Sequence, residues 1–425
     1  MTADILANLP EANRATGDGI VSICSAHPRV VEAALLQAEE GDWPVLIEAT
    51  CNQVNQDGGY TGMTPSDFRR FVEAIAERTG FDASRLIFGG DHLGPNPWKH
   101  LPAEDALRRA EAMVGAYVEA GFTKIHLDTS MGCAGEAAAL ADEVTAERAA
   151  RLAKVAETAG ERSGVAPRYI IGTEVPTPGG ATEALSALEA TPPEAAVRTV
   201  EVHRSAFRKD GLEAAFERAV GLVVQPGVEF GSDSVHVYDR GRASALAASL
   251  KALPQFVFEA HSTDYQPENA LAELVEDGFA ILKVGPGLTF AMREALYGLD
   301  AVSNALHQEP ADEGLRATME RLMTEEPQPW RGHYHGDEAK VRTERHFSYS
   351  DRIRYYWPHS EAQAAVERLI ARFGAQPIPE TLVSQYLSWL YQDVRDGSCP
   401  THPQALVTRS IRQVIRQYDR AVGHG

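Results

Sequence analysis

Two imidazoles and a carboxylate, His92, Glu174 and His261, stand where short apolar runs give way to glycine, proline and polar residues. Nitrogen and oxygen donors of this kind can hold a divalent cation with positions left open, and the set suits Zn²⁺, Mn²⁺ or Co²⁺. Gln225, on a run between those of Glu174 and His261, offers a further oxygen ligand. A bound cation would polarise a substrate carbonyl and the hydroxyl beside it, lowering the barrier to an enediolate. Asp91 adjoins His92 and is placed to take a hydroxyl proton, with Asp128 as its counterpart and Glu48 as a further acid/base candidate. Lys283 can neutralise an oxyanion or a phosphate.

Positioning these groups falls to a repeated unit. Short β-branched runs at 20–24, 45–49, 86–89, 124–127, 169–172, 222–225, 256–259 and 281–284 alternate with amphipathic helical stretches, among them 65–79, 103–120, 145–159, 192–209, 242–253 and 267–276. Several of these stretches open with proline or an Asp, Ser or Thr cap. Eight strand–helix units over about 290 residues match a (β/α)8 TIM barrel, an α/β fold whose active sites sit on the loops after the strands. A doubly wound sheet is the alternative, but no Gly-x-Gly-x-x-Gly turn follows the first run.

The barrel predicts polar residues at the strand ends, and they are there. Ser25 and His27 follow the first run, Glu48 and Asn52 the second, Asp91 and His92 the third, His126 and Asp128 the fourth, and Glu174 the fifth. Gln225 ends the sixth, His261, Ser262 and Asp264 follow the seventh, and Lys283 with Gly285 closes the eighth. One such residue would pass for a cap or a core hydrogen bond. A ring of them reads as a binding mouth, since each would otherwise be an unpaired polar group near a buried barrel end. Ser25, His27, Asn52, Gln225, Ser262, Asp264, Lys283 and Gly285 are accordingly the substrate-binding candidates. Asp91 and His92 are adjacent, so on a strand they face opposite sides, and Gly89 and Gly90 are expected to let the backbone turn both toward one pocket. His126 is open to a core-satisfied reading, and His100, His203, His333, His335 and His346 read as ordinary surface or loop histidines. Gly285-Pro286-Gly287-Leu288-Thr289 precedes an expected helix at 290–299, whose N-terminal N–H groups could hold a phosphate. Thr177-Pro178-Gly179-Gly180-Ala181 reads as a loop over the mouth.

After residue 305 the alternation stops, which predicts a barrel domain over 1–305 and a helical C-terminal extension over 306–425. Within it, Arg352-Ile353-Arg354-Tyr355-Tyr356-Trp357 reads first as a core anchor, then as a subunit interface, then as a substrate-phosphate arm. The 425 residues carry 60 acidic and 40 basic side chains, a net charge of −20 that disfavours nucleic acid and anionic membranes as partners. Four cysteines without Cys-x-x-Cys spacing indicate reduced thiols. No signal sequence or membrane-length apolar run is evident, so a cytoplasmic protein is expected.

Long motifs extend this reading. They include Cys24-Ser-Ala-His-Pro28, Ile47-Glu-Ala-Thr50, Asn52-Gln-Val-Asn-Gln56, Gly59-Tyr-Thr-Gly-Met-Thr-Pro65 and Gly89-Gly-Asp-His-Leu-Gly-Pro-Asn96. Lys124-Ile-His-Leu-Asp128, Gly172-Thr-Glu-Val-Pro176, Val224-Gln-Pro-Gly-Val-Glu-Phe230, Glu259-Ala-His-Ser-Thr-Asp-Tyr-Gln266, Leu282-Lys-Val-Gly-Pro286 and Ser350-Asp-Arg-Ile-Arg-Tyr-Tyr-Trp-Pro-His359 continue the pattern. Over nearly its full length the chain resembles the tagatose-bisphosphate aldolase subunit family, described as the non-catalytic partner of a class II aldolase and sometimes labelled a tagatose-6-phosphate kinase. The family is similar to the catalytic class II aldolases, which are metal-dependent barrels. Their Asp-His pair resembles Asp91-His92, their later histidine His261, and their acidic residue Glu174. The sixth strand departs, because Gln225 stands where those aldolases carry a metal-binding histidine. Some members are associated with C4 epimerisation of tagatose 6-phosphate or of the free ketohexose. The resemblance therefore implies a metal-dependent epimerase, zinc being the first expectation, that acts on a sugar phosphate and assembles with copies of itself. A stabilising role beside a catalytic aldolase subunit is the alternative. No Gly-rich nucleotide loop followed by Lys-Ser/Thr is present, which argues against a kinase.

Overall fold

The β-branched runs form strands because each is enclosed on both faces, by side chains inside the barrel and by helices outside. The computed structural model describes residues 2–173, 188–307 and 314–424. Its barrel strands are β1 (Ile20–Ile23), β2 (Val45–Thr50), β3 (Leu86–Leu93), β4 (Lys124–Leu127), β5 (Arg168–Ile171) and β6 (Ala219–Val223). A small antiparallel pair, β7 (Glu229–Phe230) and β8 (Val235–His236), comes next, and β9 (Val257–Ala260) and β10 (Ile281–Val284) complete the barrel. Eight strands close in the order β1-β10-β9-β6-β5-β4-β3-β2, and all neighbours are parallel. The fold is a (β/α)8 TIM barrel.

The helix Thr2–Thr16 covers one end of the barrel, where Leu6 and Leu9 meet Ile20, Leu46, Ile87, Ile170 and Val220. At the other end the strand termini open into a cavity. The helix Pro286–His307 starts four residues earlier than the sequence suggested, because proline's fixed φ suits a first helical position. Gly285-Pro286-Gly287-Leu288-Thr289 is thus largely the first turn of a helix. Beyond residue 314 the described chain is helical, and its core residues, Ile353, Leu369, Leu406 and Ile411 among them, join the hydrophobic cluster that surrounds the barrel. No helix is long and apolar enough to cross a membrane among the described residues.

Candidate active site

Asp91 and His92 line the same cavity although they are neighbours on one strand. The register of β3 against β4 shifts between Gly90 and Leu93, and His92 adopts a left-handed φ of 51°. This irregularity breaks the alternation of a regular strand. The glycines, expected to supply the turn, have a different task. A Cβ on Gly89 would lie 2.7 Å from the Glu48 side chain, and one on Gly90 would lie 2.6 Å from Leu93 and 2.8 Å from Tyr117. They clear space for neighbours. The backbone turn is made by His92 itself.

Beneath the cavity lies a buried charge network. Lys124 on β4 stands 2.5 Å from Glu48 on β2 and 2.7 Å from Glu259 on β9, with all three side chains fully enclosed. Lys283 on β10 stands 2.5 Å from Glu48 and 2.7 Å from Asp91. Burial disfavours the charges of Lys124, Glu259, Asp91 and Lys283, but their partners outweigh it. His92, Lys283 and His126 hold the Asp91 carboxyl well below the usual range, and Asp91, Glu48 and Glu259 hold the Lys283 ammonium well above its own. Asp91 is therefore an ionised carboxylate facing the cavity at neutral pH.

Three imidazoles meet above this network. The ring centroids of His92, His126 and His261 lie 5.1, 4.9 and 5.2 Å apart pairwise. Each ring has one nitrogen held by a carboxylate: His92 Nδ1 at 2.8 Å from Asp128, His126 Nδ1 at 2.9 Å from Asp91, and His261 Nε2 at 2.9 Å from Glu259. Burial works against a charge on His92, yet Asp91 and Asp128 outweigh it and raise that imidazole. The His92 backbone N–H also donates to His126 Nδ1, at 3.2 Å, so these contacts orient the rings as the carboxylate partners of metal-binding histidines do. His126 Nε2 is buried with no hydrogen-bond partner. Burial pushes His261 down to about 3, which keeps it neutral as a ligand must be. Asp91, His126, Glu259 and His261 each offer a ligand atom within 4.8 Å of the others. The residues present fit a divalent cation.

The match to known proteins agrees with this architecture. The family model "D-tagatose-1,6-bisphosphate aldolase subunit GatZ/KbaZ-like" matches residues 6–423. The chain belongs to this family. It is 55% identical over 427 residues, covering all of both chains, to a protein of Agrobacterium fabrum named D-tagatose 6-phosphate 4-epimerase. A solved structure from Sinorhizobium meliloti 1021, named a probable tagatose 6 phosphate kinase, is 58% identical with a TM-score of 0.89, over 95% of this chain and 100% of that one.

In this GatZ/KbaZ-like chain the cavity has a volume of about 510 Å³ and is lined by ten of the expected residues: Ser25, His27, Asn52, Asp91, His92, His261, Ser262, Asp264, Lys283 and Gly285. Others face elsewhere. Glu48, the further acid/base candidate, is enclosed between Lys124 and Lys283 and lies outside the cavity lining. Asp128 lies outside the cavity lining, with its carboxylate 2.8 Å from His92 Nδ1 and accepting from the Ser130 hydroxyl at 2.9 Å. Gln225 turns its Oε1 back to the Gly227 and Val228 N–H groups, at 2.8 and 3.0 Å, and lies outside the cavity lining, so the oxygen ligand expected of it is taken up by its own loop. Glu174 and the loop beginning Thr177-Pro178 lie outside the described residues.

At the expected phosphate cradle the Gly285 and Gly287 N–H groups both donate to Asp264 Oδ1, at 3.0 and 2.7 Å. His27 caps the helix Pro28–Glu39 by accepting from the Arg29 N–H. His203 and His346 are not surface residues but are buried, His203 on the Thr199 carbonyl and His346 between Tyr297 and Glu320. Sequence reasoning missed His126 as a member of the imidazole cluster, and missed Lys124 and Glu259 altogether. A lysine and a glutamate inside β-branched runs were the available signal, since such residues are almost never enclosed unless paired.

Proposed function

We propose that the chain is a C4 epimerase that interconverts D-tagatose 6-phosphate and D-fructose 6-phosphate by retro-aldol cleavage and re-addition, with the free ketohexoses as further candidate substrates. The observation that carries this reading is the ionised Asp91 carboxylate facing a cavity beside three imidazoles. The end-to-end identity of 55% with a protein named for that activity supports it. A divalent cation held by His126 and His261, with His92 beside them as a further ligand candidate, zinc first and Mn²⁺ or Co²⁺ next, would supply Lewis acidity toward the C2 carbonyl and the C3 oxygen.

On this reading Asp91 removes the proton of the C4 hydroxyl. The C3–C4 bond breaks as the C4 oxygen becomes an aldehyde carbonyl, and its electron pair passes to C3 and the C2 carbonyl. Lys283 stands beside the negative charge that develops there. The aldehyde turns, the bond re-forms on its opposite face, and Asp91 returns the proton to the C4 oxygen.

The family description favours a second reading, in which the chain stabilises a catalytic D-tagatose-1,6-bisphosphate aldolase subunit. Incubating the purified, cation-loaded protein alone with D-tagatose 6-phosphate separates the two. Fructose 6-phosphate should form, and adding ATP should change nothing. No conversion, together with a gain in the activity or lifetime of an aldolase subunit, would favour the second reading, and ATP consumption would favour a kinase.

A further inference from the structure

We infer that the turn Arg352–Tyr356 carries the phosphate-binding end of the cavity, with Arg354 and Arg29 as the cations that hold the substrate's phosphate dianion. The inference rests on the phosphorylated substrate proposed above. The lysines beside the cavity and the first N–H groups of the helix after β10 are already engaged among the described residues. Lys124 and Lys283 are neutralised by Glu48, Glu259 and Asp91 at 2.5–2.7 Å, and the Gly285 and Gly287 N–H groups are held by Asp264. Three carboxylates there would also repel a dianion.

Arg29 and Arg354 also line the cavity, and neither forms an ion pair with a carboxylate among the described residues. Glu367 lines the cavity too, and burial outweighs the charges of Glu32 and Glu367 in lowering the Arg29 guanidinium. The Arg354 guanidinium is fixed by three bonds, from Nη1 to the Ser350 and Asp351 carbonyls and from Nη2 to the Tyr355 hydroxyl. Of its five N–H groups, the Nε–H and one on Nη2 have no partner among the described residues. A phosphate is suited to such donors, because guanidinium groups bind phosphate oxygens through paired, charge-assisted hydrogen bonds.

The turn is also anchored. Asp351, at a left-handed φ of 44°, accepts from the Thr289 hydroxyl at 2.6 Å and faces the buried Arg293 at 3.4 Å, both on the helix that follows β10. Tyr60, after β2, packs its ring edge-on against Tyr355 at 4.9 Å, closing the wall from the other side. Burial works against ionisation of Tyr355, yet Arg354 and Arg352 outweigh it and lower the phenol, which marks a positive potential at this end.

Titration calorimetry of the full-length protein with inorganic phosphate tests the assignment, alongside KM values for D-tagatose 6-phosphate and free D-tagatose. Arg354→Gln and Arg29→Gln should each weaken phosphate binding on the order of tenfold or more, and should raise KM for the phosphorylated sugar while leaving the free sugar unchanged. Arg354→Lys keeps the charge without the planar fork and should fall between. Unchanged phosphate affinity in the variants, or no phosphate binding by the wild type, overturns the subsite. If Arg354→Gln fails to fold, Arg29→Gln and Arg354→Lys decide the matter. Conversion of D-tagatose 6-phosphate with unaltered phosphate affinity in the variants would sink the subsite alone. Arginine-dependent phosphate binding without conversion would sink the epimerase reading alone.

Discussion

Asp91 and Asp128 are both buried carboxylates bonded to imidazoles, and only Asp91 meets the cavity. That difference separates their expected phenotypes. Asp91→Asn removes the base and should lower turnover by roughly 10²–10⁴-fold, an effect that added cation does not reverse. Asp128→Asn acts through His92 and should weaken cation binding by roughly 10–100-fold, so its activity should return at high cation concentration. Steady-state rates across a cation titration distinguish the two, and a rescued Asp91→Asn would remove Asp91 from its proposed role. His126 gives a second test, since its unpartnered Nε2 makes it as much a ligand candidate as His92. Elemental analysis of His126→Ala and His92→Ala should show the same loss of metal. Full metal content in His126→Ala would return that histidine to a packing role.

At the scale of elements, the strand-end ring was legible because short continuous β-branched runs, bounded by glycine, proline and polar residues, mark where buried strands lie and where they stop. Which way each end residue faces was not. The register shift and the positive φ of His92 leave no mark in a hydrophobic pattern, so the shared outlook of Asp91 and His92 could be expected from the glycines only for the wrong reason. Gln225 and Gly285 turn on a related cause, because a side-chain oxygen can close its own loop and a neighbouring carboxylate can take a helix's first donors. Lys124 was hidden inside an apolar run, and it joins β2, β4 and β9 through ion pairs that lie wholly inside the barrel. Removing it leaves two enclosed carboxylates short of a partner. Lys124→Met should therefore destabilise the protein by roughly 3–5 kcal/mol, read as a lower urea midpoint at constant slope. A change below ~1 kcal/mol would mean that Lys283 alone compensates both acids.

Across the whole molecule the barrel and the C-terminal helices share one hydrophobic cluster, in which Leu406, Val407, Ile411 and Ile415 are as buried as the barrel's own residues. The helix Pro403–Ala421 packs against the barrel helices Pro28–Glu39, Glu268–Glu276 and Pro286–His307. It also reaches the site, because the Tyr418 hydroxyl donates to the Thr263 carbonyl at 2.7 Å, and the Thr263 hydroxyl donates to the Lys283 carbonyl at 2.7 Å. With core residues in common, the barrel over 1–305 and the helical extension over 306–425 should unfold together. Truncation after residue 402 should then yield insoluble chain, since it bares the apolar faces of three barrel helices at once. Ile411→Ala is the milder probe. It should cost roughly 2–5 kcal/mol through lost burial and the cavity left behind, and lower the midpoints of barrel unfolding and of activity loss by the same amount. A truncated chain that remains soluble, with an unshifted barrel transition, would show instead that the barrel is an independent unit and the C-terminal helices an accessory to it.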